Sequence, residues 1–222
     1  MLKICLVAVL AAICGVAYPL SGTVALAPGS TVNNANTLTS NGLNPIGTLV
    51  ADTGLQAFSF TGSGLTTTGE LREVVYRQPA PDVTLDFYFQ IEVTSGEVFA
   101  VTAGNFSSFL TSVGTDSPVS LLGLGPGLGM PSYETRSASG GTVSFIFTNP
   151  ISAGEGATSV ISTNGTDFTD SNIGIIGSGG GTKTLDGFQT APPVAEVGTF
   201  WLIGSGLGSI ALIFRRIQRR RS

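Results

Sequence analysis

The side chains that usually carry chemistry are scarce in this chain, and their scarcity narrows what it can do. There is no histidine, and the two cysteines, Cys5 and Cys14, both lie near the start. That removes Ser-His-Asp and Cys-His hydrolysis and the ordinary zinc ligand sets. Carboxylates, hydroxyls and Lys183 remain. Lys183 sits beside a glycine-rich turn without a Ser-x-x-Lys spacing and reads as solvated. Asp86 and Glu92 share the polar phase of one alternating run, and Glu70 and Glu73 are interleaved with Arg72 and Arg77. A glycosidase would need two such carboxylates across a cleft, one with a raised pKa. Exposed strand faces account for both sets.

Asn164, Asp167, Asp170 and Asn172 form an oxygen-rich group of the kind calcium takes. Their spacing follows no EF-hand, and Asn and Asp also stabilise turns on their own account. Gly123 to Gly129 superficially resembles a nucleotide loop, but Pro126 removes an N–H and no helical pattern follows, so it reads as an apolar loop. Tyr76, Tyr88 and Tyr133 are the aromatics on which a sugar would stack, with Tyr88 expected to face outward. No metal and no cofactor are expected.

The elements that must position these residues are strands. From Val83 to Thr94 the odd positions are apolar and the even ones polar or amphipathic, the period-two mark of a strand with one buried face. Thr142 to Thr148 repeats the pattern, with Val143, Phe145 and Phe147 facing in. Further strands are expected at Ala57–Thr61, Glu70–Arg77, Val98–Thr102, Thr158–Thr163, Ile173–Ile176 and Thr182–Phe188. Gly, Pro, Asn and Asp punctuate them. Asn164-Gly165 marks a turn, Pro79-Ala80-Pro81 separates two strands, and Gly177 to Gly181 reads as a hairpin tip. Thr31 to Asn44 reads as irregular. The pattern predicts an all-β fold, a single antiparallel β-sandwich of jelly-roll-like form over residues 18–190, with a helix at either end.

Charge is unevenly spread. Residues 18 to 195 hold four cations against thirteen carboxylates, a net of −9. Such a surface cannot neutralise a phosphate backbone, so no nucleic-acid partner is expected.

The two ends read as an export route. Met1-Leu2-Lys3, the apolar stretch Ile4 to Ala17 and the small-residue exit Gly15-Val16-Ala17 make the three parts of a signal peptide over residues 1–17. Its removal would take both cysteines with it, leaving a domain without disulfides that depends on its hydrophobic core. Residues 191–222 form a tail. Pro193, Ala195, Glu196, Val197, Gly198 and Thr199 lie in a short motif, Phe200 to Phe214 are almost entirely apolar or small, and Arg215, Arg216, Arg219, Arg220 and Arg221 close the chain. As a helix, 15 residues at about 1.5 Å each cover roughly 22 Å, short of a hydrocarbon core of about 30 Å, so Arg215 and Arg216 would have to snorkel. The arginines fix the orientation, with residues before Val197 outside. Gly204 and Gly208 stand at a small-xxx-small spacing suited to helix contact.

This three-part tail resembles the PEP-CTERM sorting signal. Glu196 matches its central Glu and Gly198-Thr199 the small-polar pair that follows, while Ala195 and Val197 stand where its two prolines would be. Glu73 to Arg77, Leu85 to Gln90, Gly141 to Phe145 and Ser162 to Thr166, taken in order, are also similar to segments of many uncharacterised PEP-CTERM proteins. The resemblance implies a partner, an exosortase-type membrane protease or transpeptidase of Gram-negative bacteria that make exopolysaccharide. It also implies export across the inner membrane, transient anchoring by the tail, and a final place at the cell surface or outside, with polysaccharide as a further candidate partner. A non-enzymatic role follows as the expected function. A carbohydrate-binding module and a secreted carboxylate hydrolase stay open as alternatives.

Overall fold

The computed structural model describes residues 22–33, 47–116 and 129–192. The expected signal peptide, sorting motif, membrane segment and arginine cluster lie outside the described residues, as do most of the glycine-leucine loop and residues 34–44. Within the described residues the chain is all-β, in two antiparallel sheets.

One sheet runs in the order β1 (Val24–Ala25), β8 (Thr111–Asp116), β11 (Gly156–Thr163), β6 (Leu85–Ser95), β5 (Leu65–Arg77) and β3 (Thr48–Asp52). The strand β4 (Gln56–Gly62) joins the same edge, because β5 is 13 residues long and pairs with β3 along its last part and β4 along its first. The other sheet runs β13 (Thr182–Thr190), β12 (Phe168–Gly177), β7 (Glu97–Ala103), β10 (Val143–Ser152), β9 (Tyr133–Arg136) and β2 (Thr31–Asn33).

Period-two patterning explains where the core lies. Leu85, Phe87, Phe89, Ile91 and Val93 on β6 all point to one face and are buried with Leu71 and Val75 of β5. Facing them are Val101 of β7, Val143, Phe145 and Phe147 of β10, and Ile173 and Ile175 of β12. The rings of Phe89 and Phe145 meet across the sheets at 6.3 Å. Phe106, in the β7–β8 loop, sets its ring edge-on to Phe87 at 5.4 Å. The two sheets are thus a sandwich over one apolar core, of the kind stacked sheets form at about 10 Å separation. Fully burying one such Phe or Leu contributes roughly 2 kcal/mol, so this cluster dominates the stabilising side.

Gly177 to Gly181 is the hairpin tip between β12 and β13, as its composition predicts. Its glycines have a further use. A Cβ on Gly62, at the end of β4, would stand 2.1 Å from Gly181 N and 2.6 Å from Gly179 O. The two hairpin ends therefore touch backbone to backbone, and Phe60 packs over Gly177 and Gly181.

Two sequence-based expectations are corrected, and four strands form that the sequence pattern does not predict. Thr31 to Asn33 is a strand, β2, not irregular: its backbone pairs with β9. Four further strands, β1, β3, β8 and β9, carry no strong alternation of their own and form because a neighbour offers an unpaired edge. The polar phase of β6 is not solvated. Asp86 and Gln90 are 0% exposed and Tyr88 3%. On that face β6 lies between β5 and β11, and Tyr88 packs with Val74, Val160 and Tyr76 in a second small cluster.

Candidate functional site

The sequence-predicted chemical groups do not assemble as sites. Of the proposed calcium oxygens, Asn164 Oδ1 accepts from Leu110 N at 2.8 Å, and Asp167 stands 3.7 Å from Arg77. Asp170 and Asn172 are exposed on β12. No group of three or more acidic residues converges on a cation position among the described residues. Tyr76 and Tyr88 meet edge-on at 5.7 Å with Tyr88 buried, and Tyr133 belongs to the other sheet, so the three tyrosines make no exposed platform. Lys183 is exposed on β13, as expected.

Two carboxyls do have raised pKa values, but they lie on opposite faces of one sheet. Glu73 shares the inward phase of β5 with Leu71 and Val75, is 0% exposed, and reaches the other sheet. The expectation of an exposed pairing with the neighbouring arginines is corrected: Arg72 forms a two-pronged ion pair with Asp52 at 2.6 and 2.9 Å, and Arg77 faces Asp167. Burial pushes the Glu73 carboxyl well above the usual carboxylate range, against one hydrogen bond from Phe188 N. Asp86 points to the outer face of β6. Burial raises it to about 6, while hydrogen bonds from Ser162 and Gln78 pull the other way. Back to back across a strand pair, these two carboxyls cannot flank one scissile bond.

Arg136, which the sequence reading passed over, is the buried cation of the domain, at 4% exposed. It ends β9, on the inward phase of that strand. Its guanidinium donates to four backbone carbonyls: Nε to Gly140 O at 3.0 Å, Nη1 to Leu26 O at 3.0 Å, and Nη2 to Phe106 O at 2.7 Å and Phe109 O at 2.9 Å. It therefore ties the N-terminal segment, the β7–β8 loop and the β9–β10 turn together. Burial pulls its pKa below the ordinary guanidinium value, and an arginine keeps its charge nonetheless. Its signal in the sequence was faint: one of four cations in residues 18 to 195, followed by Ser137 to Gly141.

Beside Arg136 lies a cavity of about 480 Å³. Its walls are residues 25–28, residues 108–112, Ser162 and Thr163 at the end of β11 with Asn164 just beyond it, and Arg136 itself. The backbone positions them in register: Leu26 N donates to Thr111 O at 2.8 Å, β1 pairs with β8, and Asn164 takes Leu110 between its N–H and its side chain. Within the loop, Asn105 and Ser108 hold left-handed backbone angles, φ 65° and 73°, unusual for residues with a Cβ. Such strain persists only where surrounding contacts over-determine it, and here Arg136 grips the carbonyls of Phe106 and Phe109 on either side of Ser108.

Compared with protein-family models, curated proteins and solved structures, the chain matches none.

Proposed function

We propose that this chain is an exported, non-enzymatic envelope or extracellular-matrix protein whose C-terminal tail is a PEP-CTERM-like sorting signal read by an exosortase. The observation that carries the reading is the order of three parts in the tail: Glu196 with Gly198-Thr199, the apolar run Phe200 to Phe214, and five closing arginines. A positively flanked short apolar helix would arrest the chain in the bilayer and leave Glu196 outside, within reach of a membrane protease. The sandwich, of jelly-roll-like form in this reading, is the cargo, and its ends would be helices at residues 1–17 and 200–214. Its repeated passage of the chain between two sheets supports that form. Sugar binding through Tyr88 has lost its support, because that ring is buried.

The test is intact mass of the protein from its native host, fractionated into membrane, surface and medium. Loss of both ends, with a new C-terminus near Glu196, is expected. Glu196→Ala, or deletion of residues 200–222, should redirect the protein without unfolding the sandwich. Unchanged location after the deletion overturns the sorting reading.

A further inference from the structure

The geometry points to the cavity beside Arg136 as a binding site for a small organic carboxylate with an apolar body. Its volume of about 480 Å³ falls within the range of roughly 300 to 1,000 Å³ typical of small-molecule sites. Leu26, Pro28, Phe109 and Leu110 supply apolar wall, and the ring or chain of a ligand would cover Leu110, which is 64% exposed at the rim.

The polar groups specify the charge. No Asp or Glu lines the cavity. Of the four cations in the exported region, Arg72 and Arg77 are ion-paired and Lys183 is exposed, whereas Arg136 is buried against carbonyls alone. A guanidinium has five N–H groups. Four are taken, so one on Nη1 is left to donate. Asn164 accepts with Oδ1 from Leu110 N, which leaves its NH₂ as a donor, and Ser108 adds a hydroxyl. The site thus offers donors and a positive charge, matched by a carboxylate and mismatched by an amine. The exposed carboxylates of the region do not reverse this, since exposed charges beyond about 8 Å are screened in physiological salt. Glu134, buried two residues before Arg136 on the same phase of β9, does not line the cavity. The strained Ser108 and the four-carbonyl grip of Arg136 fix the wall before any ligand arrives, which favours binding by avoiding later ordering.

Isothermal titration of the full-length chain in detergent with benzoate, benzyl alcohol and glucuronate tests the assignment. Benzoate should bind once per chain, about tenfold or more tighter than benzyl alcohol, which lacks the charge, and than glucuronate, which lacks the apolar body. Removing Arg136 endangers folding, so the decisive variant is Asn164→Asp. It keeps an oxygen for Leu110 N and places a negative charge in the cavity wall. Benzoate affinity should fall about tenfold, benzyl alcohol should be unaffected, and the melting temperature should hold. Partition into detergent is common to both proteins and cancels in the comparison. Equal binding of benzyl alcohol, tighter binding of glucuronate, no saturable benzoate binding at millimolar concentration, or an unchanged Asn164→Asp each overturns the proposal.

Discussion

Glu73, on β5 of one sheet, accepts a hydrogen bond at 2.7 Å from the backbone N–H of Phe188, on β13 of the other. The contact closes the sandwich along one side and fills the space beside Gly187, where a Cβ would stand 2.7 Å from Glu73 Oε2. Glu73 Oε1 is buried without a hydrogen-bond partner. The fold therefore favours the neutral acid. As pH rises past the unfolded value near 4.5, the unfolded chain releases this proton while the native one keeps it. Stability falls with a slope of about 1.4 kcal/mol per pH unit until the raised native pKa is reached. Urea unfolding between pH 4 and 9 should show that decline, and Glu73→Gln, which stays neutral, should flatten it.

Asp86 contributes with the same sign in a narrower window. Its native pKa of about 6 stands above the usual 3.8, so stability is complete below about 3.8 and is lost as pH climbs to about 6. Two units amount to a loss on the order of 3 kcal/mol. Asp86→Asn should remove that step while retaining an acceptor for Gln78 Nε2. Carboxyl ¹³C chemical shifts should report the midpoint in the native protein; a midpoint near 4 refutes the assignment of a buried Asp86.

The backbone contact between the two hairpin ends predicts an unequal pair of glycine substitutions. Gly62→Ala drives a Cβ against Gly181 N and Gly179 O and should destabilise by about 3 kcal/mol. Gly104→Ala meets nothing closer than 3.9 Å and has no left-handed angle. It should be neutral or stabilising by up to about 1 kcal/mol, because it restricts the unfolded chain. Thermal melts of the two variants separate the cases.

Gln56 imitates a strand residue at the edge of β13. Its Nε2 donates to Asp186 O at 2.8 Å and its Oε1 accepts from Asp186 N at 3.1 Å. With Glu73 on Phe188 N, two donors of that edge are satisfied by side chains of the other sheet. Gln56→Ala should cost about 1 kcal/mol. It should also raise self-association, since an uncovered strand edge templates pairing with another chain. Sedimentation velocity over a concentration series would detect the shift; a monomer at every concentration argues against edge protection.

What the sequence determined by itself is the local geometry with a period. The odd residues of β6, Val143, Phe145 and Phe147 of β10, and the glycine tip of the last hairpin follow from alternation and turn chemistry, which act between near neighbours. The proposal of export and sorting for the two ends rests on order along the chain and on the resemblance of the tail to a sorting signal, not on tertiary contacts. Tertiary structure decided the rest, because burial on the second face of a strand depends on which strands flank it. Asp86, Tyr88 and Gln90 look solvated in a lone strand and are buried in one held between β5 and β11. Glu73 was in phase with Leu71 and Val75 all along, yet its charge suggested the surface until Phe188 and Gly187 supplied a partner and a gap. Short polar strands such as β8 and β9 exist because pairing partners far along the chain complete their hydrogen bonds. Arg136 gains its position in the same way, from carbonyls of three separated segments that no linear pattern brings together.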